Sequence, residues 1–243
     1  LGSVPRSIND PKTTNDVNIG GFLNILLASR DNKVKRVVYA ASSSTYGDSK
    51  NLPKTENKIG NPMSPYAITK YVNELYATNF KKNFNLDTIG LRYFNVFGPK
   101  QDPNGSYAAV IPLFIKKIIN NERPKINGDG EYSRDFTYVD NVIYANILSI
   151  LSNNKDSINQ IYNVACGERN SLNQLFKSIK ANILSLDLDR SNLKPIYGPV
   201  RSGDVPHSLA SIKKAKKLLK YNPIVNFDDG ILKTIKWYID NTK

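Results

Sequence analysis

Val34-Lys35-Arg36-Val37-Val38-Tyr39-Ala40-Ala41-Ser42-Ser43-Ser44 is a short run, rich in β-branched residues, that ends in a serine cluster. It reads as a parallel strand that delivers functional residues at its carboxyl end. Downstream, Ser64-Pro65-Tyr66-Ala67-Ile68-Thr69-Lys70 opens a helix expected over residues 65–83, with Pro65 suited to the first turn. Thr88-Ile89-Gly90-Leu91-Arg92-Tyr93-Phe94 follows as a second apolar strand. A helix between two such strands predicts a right-handed βαβ crossover, so the fold class is α/β.

The helix also carries chemistry. Tyr66 and Lys70 lie four residues apart, which puts phenol and ammonium on one face. A nearby cation favours phenolate and lowers a tyrosine pKa from about 10, and the dipole at a helix amino terminus acts in the same sense. A serine hydroxyl from the strand end then bridges a substrate hydroxyl to that phenol. Together these residues predict a proton-transfer site. Taken alone, Tyr-x-x-x-Lys is more usually the pattern of a snorkelling surface pair.

The chain has 243 residues, 40% of them hydrophobic, enough for one large domain or two small ones. No apolar stretch approaches the roughly 18 residues a membrane span needs, so no membrane association is expected. Leu1 begins neither a signal peptide nor a natural start, and the chain is expected to be part of a longer protein. Cys166 is the only cysteine and His207 the only histidine. An internal disulfide and a Cys-rich zinc site are thereby excluded; no metal is expected, and a reducing, cytoplasmic setting is the default. Ser-His-Asp catalysis is not expected either, since His207 lies in Gly203-Asp204-Val205-Pro206-His207-Ser208, without a nucleophile elbow. The formal charge of +13 is spread over 34 Lys and Arg. The densest cluster, Lys213, Lys214, Lys216, Lys217 and Lys220, alternates with Ile212, Ala215, Leu218 and Leu219 at helical spacing. It reads as a solvated helix face rather than a nucleic-acid surface, and the excess charge is suited to an anionic small molecule.

Elsewhere, residues 12–32 read as a helix with Val17, Phe22, Leu23, Ile25, Leu26 and Leu27 on its apolar side and Asp10-Pro11 at its start. The connection 46–65 is long and rich in Gly and Pro, a length usually functional or mobile. Beyond Gly98-Pro99 the expected elements are a helix near 107–120, a strand at 124–127, a Gly128-Asp129-Gly130 turn and a helix at 140–151. A strand at 161–165 and helices near 171–184, 208–220 and 227–240 complete the chain.

With the Tyr-x-x-x-Lys helix placed after a serine-tipped strand, the chain resembles the extended short-chain dehydrogenase/reductases, specifically the NAD-dependent nucleotide-sugar epimerases. The supporting segments are Ala40-Ala41-Ser42-Ser43-Ser44-Thr45-Tyr46-Gly47-Asp48, the Tyr66 segment, Leu91-Arg92-Tyr93-Phe94-Asn95-Val96-Phe97-Gly98-Pro99, Gly128-Asp129-Gly130, Ser133-Arg134-Asp135-Phe136 and Val139-Asp140. Within that family it looks closest to the UDP-N-acetylglucosamine 4-epimerases of bacterial surface-polysaccharide synthesis, through Leu1-Gly2-Ser3-Val4-Pro5-Arg6-Ser7 and Arg201-Ser202-Gly203-Asp204-Val205-Pro206-His207-Ser208. The resemblance implies the C-terminal part of a Rossmann-like doubly wound parallel sheet, at 1–97 and 136–170, plus a smaller mixed α/β substrate domain at 98–135 and 171–243.

It also implies roles. Tyr66 would remove the proton from the sugar 4-hydroxyl while hydride passes from C4 to bound NAD, Lys70 would lower the Tyr66 pKa and hold the nicotinamide ribose, and Ser42 would orient the hydroxyl. The 4-keto intermediate would turn over and be reduced on its other face, with no net use of NAD. Ala40, Tyr93, Asn95 and Val96 would flank the cofactor. Gly2, Ser3, Ser43 and Ser44 would contact the sugar; Asn95, Ala109 and Val110 the diphosphate and sugar; Arg134 and Arg201 the phosphates. Ile126 and Asn127 would lie against uracil, and Asp204 would accept from the uridine ribose or an arginine. Ser208 would face the C2 substituent, where a small residue admits N-acetyl. Singly, each arginine also fits a surface salt bridge, Asn95 a strand-end turn and Ser208 a helix cap. A homodimer through a four-helix bundle containing the Tyr66 helix and the 12–32 helix is a further implication.

The family's Gly-x-x-Gly-x-x-Gly turn is not in these residues. Residues 1–11 match the loop after the family's fourth strand, so on the order of 100 preceding residues are expected. These 243 residues alone are accordingly expected to bind NAD poorly, to expose a sheet edge and to lack epimerase activity. Among neighbouring activities, a 4,6-dehydratase would place an Asp-Glu pair where this chain has Ser43-Ser44, and the decarboxylases usually carry a glutamate there. A UDP-glucose or UDP-glucuronate 4-epimerase and a catalytically silent binding protein of the same fold stay open.

Overall fold

The computed structural model describes residues 1–105, 108–186, 188–200 and 205–241. They form two compact units, the first of residues 1–94, 142–165 and 210–222, the second of 95–141, 166–209 and 223–243.

In the first unit the two apolar runs become the parallel strands Arg36–Ser42 and Asp87–Tyr93, joined by Gln160–Val164 on the far side of the second. Ser42 pairs with Tyr93, and Tyr93 with Val164, so the three strands end at one level. Ile89 and Leu91 are fully buried in the central strand, as near-continuous apolar character requires. Gly90 is needed there because a Cβ would come within 2.6 Å of the Tyr39 hydroxyl. The crossover helix runs Pro65–Phe84. Ser64 caps it by accepting from the Ala67 amide, Pro65 occupies the first turn, and Asn85 ends it in a left-handed conformation (φ 54°).

The expected 12–32 helix is more broken than its periodicity suggests. A short helix, Val4–Asn9, precedes it; Pro11–Asn15 then passes through a π-helical turn, Asp16–Gly20, into Gly21–Asp31. Asp10 caps the second piece, accepting from the Thr13 amide at 3.0 Å. Within the π turn the buried Asn18 turns inward and donates to Thr69 Oγ1 on the crossover helix, a polar contact that apolar periodicity cannot report. Leu26 packs with Phe80 and Leu86.

The second unit is built on Val110–Ile119, Leu172–Leu184 and Phe227–Asn241. Ile111, Phe114, Ile115 and Ile118 recur at helical spacing and are buried against Leu175, Ile179, Ile231 and Ile235. Three two-stranded pairs complete it: Val96–Phe97 with Thr137–Tyr138, Lys125–Asn127 with Ile196–Gly198, and Ser133–Arg134 with Asn170–Ser171. Strands of two residues have no periodicity, and most of these were not foreseen.

The unit boundaries differ from the expected domains. Residues 210–222, expected with the substrate domain, belong to the first unit, where Ala210 bridges Lys54, Ser211 O accepts from the Asn163 amide and the Tyr221 hydroxyl donates to Ala165 O. Residues 95–97, 136–141 and 166–170 belong to the second, because Val96 pairs with Thr137 and Arg134 with Asn170. The Lys-rich helix is shorter than expected, Lys213–Leu219, and all its lysines but Lys214 are exposed. Among the described residues no helix is long and apolar enough to cross a membrane.

Candidate active site

At the carboxyl end of its strand Ser42 stays extended (φ −150°), and its Oγ accepts from the Ser44 amide at 3.2 Å and the Ser44 hydroxyl at 2.8 Å. Tyr66 is the second residue of its helix, with the Ser42 hydroxyl near enough to lower its pKa. One turn on, the Lys70 ammonium donates to Ala40 O at 2.8 Å and stands 5.9 Å from the Tyr66 ring centroid. The strand end and helix start thus bring Ser42, Tyr66 and Lys70 together, with Ser44 bound to Ser42.

One expectation is corrected. The Tyr66 phenol is held above its ordinary value, not below it: burial raises it and only the Ser42 hydrogen bond opposes. Lys70 spends a proton on the Ala40 carbonyl, and burial lowers its own pKa. The ammonium is too far from the phenolic face to reverse the effect of burial.

Around this core, the Tyr93 hydroxyl exchanges hydrogen bonds with the Asn146 side chain, at 3.2 and 3.0 Å. Ser3 caps the first short helix through the Arg6 amide, and Gly2 is exposed. Ser43 is half-buried in the 3-10 turn Ser43–Tyr46. Ala40 is exposed and carries only a methyl group, and Lys70 keeps two N–H groups beyond the one given to Ala40. These features fit a flat ring and ribose hydroxyls of NAD.

In the second unit, Asn95 adopts φ 30°, accepts from the Thr137 amide and donates to Asp135 O at 3.2 Å. Val96 is half-buried in its strand pair. Ala109 precedes Val110 at the start of a ten-residue helix with no side-chain cap, so its first amides are open to an anion. The Arg134 guanidinium donates to Ser133 O and Pro206 O, at 3.0 and 3.1 Å. Ser208 gives its amide to Ser133 O and caps no helix, since Lys213–Leu219 begins after Ile212. Asn127 is half-buried beside Gly198. Ile126, expected against uracil, has its side chain fully buried in the apolar core, because the middle residue of that three-residue strand points inward, so its backbone is what remains for a base. Arg201 and Asp204 lie outside the described residues. Among the described residues no cluster of His, Cys, Asp and Glu is suited to a metal.

Asn18 with Thr69, and Glu74 with Arg92, were not foreseen as site residues. A charge inside each apolar pattern, Arg92 in the strand and Glu74 on the packed side of the helix, was the available signal.

Comparison with known proteins bears on this geometry. The model of the NAD dependent epimerase/dehydratase family matches residues 1–165. A putative UDP-glucose 4-epimerase of Methanocaldococcus jannaschii is 36% identical over 99% of this chain and 75% of its own length. A UDP-glucuronate 4-epimerase of Thermodesulfobacterium geofontis is 34% identical over 98% of this chain and 70% of its own. The structure of a UDP-N-acetylglucosamine 4-epimerase from Methanobrevibacter ruminantium M1, in complex with UDP-N-acetylmuramic acid, superposes with a TM-score of 0.91 at 41% identity, covering 99% of this chain and 74% of that one.

Proposed function

As this chain belongs to the NAD-dependent epimerase/dehydratase family and its relatives are NAD-dependent UDP-sugar 4-epimerases, it is an isomerase of that class, and we propose that its substrates are UDP-N-acetylglucosamine and UDP-N-acetylgalactosamine. The observation that carries the reaction is the convergence of Ser42 at its strand end with Tyr66 at its helix start and, one turn on, Lys70, whose ammonium donates to Ala40 O. The small Ser208 and the 41% identical N-acetylglucosamine relative favour the N-acetyl sugars.

NAD, when bound, supplies an acceptor and donor of hydride at the sugar carbon. Tyr66 takes the proton of the 4-hydroxyl, which Ser42 bridges to the phenol, and returns it when the carbon is reduced again. Lys70 gives its remaining N–H groups to the ribose, and Ala40, Tyr93, Asn95 and Val96 bound the cofactor. Arg134 and Arg201 pair with phosphate oxygens, and the amides of Val110 and Ile111 supply backbone donors. Asn127 and the backbone of Ile126 address the base, Asp204 the ribose, and Gly2, Ser3, Ser43 and Ser44 the hexose.

The test is a coupled assay of the full-length protein of which these residues are expected to be part, purified with its NAD, on UDP-N-acetylglucosamine, UDP-glucose and UDP-glucuronate in parallel. Conversion of the N-acetyl sugar is the expected result; conversion of UDP-glucuronate or UDP-glucose alone overturns the substrate assignment. Ser208→Tyr is expected to abolish turnover of N-acetyl sugars and to spare 2-hydroxyl sugars. Equal loss on both would remove Ser208 from the C2 pocket.

A homodimer belongs to the same proposal. Ile68 and Leu75 on the crossover helix, with Val17 and Ile25 on the preceding helical segment, are exposed apolar residues of the first unit, and burying them favours association. Sedimentation is expected to show twice the chain mass, and Leu75→Lys to give the monomer; a monomeric wild type sinks this reading. The cytoplasmic location suggested by the single free Cys166 is checked by cell fractionation.

A further inference from the structure

Glu74 and Arg92 form an ion pair that the chemistry above does not use. Both side chains are 3% exposed, and the pair is bidentate, with Arg92 Nε at 2.8 Å and Nη2 at 2.7 Å from the two carboxylate oxygens. Burial opposes the guanidinium charge, but the Glu74 carboxylate outweighs it and holds the pKa above its ordinary value. Such pairs stabilise a fold little more than a well-packed apolar pair of the same volume, so stability alone does not call for one.

Its position does. Glu74 lies one turn beyond Lys70 and two beyond Tyr66 on the helix Pro65–Phe84. Arg92 is in register with Ala41, next to the Ser42 and Tyr93 pair. The same guanidinium lies 4.8 Å from the centroid of the Tyr46 ring, donates to Glu56 O at 3.1 Å, and so touches the last residue of the turn Ser43–Tyr46 that follows Ser42. The Tyr46 hydroxyl is held in turn by Asn163 Oδ1 at 2.6 Å, and the Asn163 amide donates to Glu56 Oε1 at 3.0 Å. One cation therefore fastens the helix carrying Tyr66 and Lys70, the turn leaving Ser42 and the loop at Glu56 to a single strand.

We propose that Arg92, through Glu74 and Tyr46, is a positioning residue that sets the placement of Ser42 relative to Tyr66 and thereby the reactivity of the Tyr66 phenol. The planar fork is essential to it, because only a guanidinium grips two carboxylate oxygens and lies against a ring at the same time. This rests on the epimerase reading. Loosening the pair lets the phenol and the serine drift apart, which costs alignment and removes the one contact that opposes the upward effect of burial on Tyr66.

The experiment uses the NAD-loaded full-length protein and three variants: Arg92→Lys, Glu74→Gln and the apolar double variant Arg92→Met with Glu74→Leu. For each, kcat and KM across pH, UDP affinity by calorimetry and the melting temperature are measured. Arg92→Lys and Glu74→Gln are expected to lower kcat roughly 100-fold, the scale of a small misplacement at the reacting centre, with UDP affinity unchanged and the rising limb of the rate profile moved to higher pH. The double variant is expected to regain melting temperature without regaining kcat. If kcat per UDP-binding site and the pH limb stay at wild-type values in Arg92→Lys, or if the double variant restores kcat together with stability, the pair is structural only and the proposal falls. A wild type that inverts none of the sugars fails the epimerase reading instead, which the same plate of assays shows separately.

Discussion

Tyr66→Phe is expected to lower kcat about 10²- to 10⁴-fold, the usual share of a positioned proton-transfer group, while UDP affinity stays at the wild-type value. The two readouts separate under the proposed assignment, because the phenol would serve the hexose, whereas Ala109, Val110, Asn127 and Arg134 are the residues proposed for the nucleotide. The pH dependence follows from the direction of the Tyr66 shift. Burial raises its pKa and the Ser42 hydrogen bond lowers it. The base form is the reactive one, so a raised pKa means that kcat climbs as pH increases from neutral towards alkaline. Ser42→Ala removes the lowering contact and moves that limb further up. A Tyr66→Phe protein with wild-type kcat, or a limb that Ser42→Ala shifts downward, would take the proton from these residues and place the chemistry elsewhere.

Asn141→Leu is expected to produce the largest loss of stability, although Asn141 touches no expected substrate atom. Its side chain is fully buried. Nδ2 donates to Val225 O at 2.7 Å, and Oδ1 accepts from the Ile224 and Val225 amides at 2.8 and 3.0 Å. Leucine has nearly the same shape but leaves three backbone groups without partners, at about 1–3 kcal/mol each. A total near 3 kcal/mol lowers the melting temperature by roughly 6–12 °C for a chain of this size. The groups released lie just before the helix Phe227–Asn241, which supplies Ile231 and Ile235 to the core of the second unit. Amide exchange at Ile224 and Val225 should accelerate with the fall in melting temperature. An unchanged melting temperature would show that this turn is held by other contacts.

Several features were legible because their cause is local. Ser64 and Pro65 announce a helix start by capping chemistry, and the structure begins the helix at Pro65. The β-branched run ending at Ser42 and the apolar run before Phe94 make parallel strands in register, since fully buried strands have few other compositions. Tyr66, Lys70 and Ser42 follow from those elements, because an i, i+4 helix pair and a strand end converge once the crossover is right-handed.

What stayed hidden depends on partners remote in sequence. Nothing in the local pattern says that Arg92 reaches Glu74, that Asn18 in a π turn bonds Thr69, or that residues 210–222 pack with Lys54 and Ala165. The sign of the Tyr66 shift belongs to this group. Spacing on a helix specifies which charges are near, and that argued for a lowered pKa. Burial and the direction in which Lys70 points decide how much those charges matter, and both come only from tertiary packing. By itself the sequence determined the α/β class and the crossover, through periodicity, caps and spacing, and it brought forward Tyr66, Lys70 and Ser42 as the proposed reacting groups. The tertiary structure alone decided how those groups are held and in which direction their proton affinities move, because desolvation and buried ion pairs are properties of the packed state.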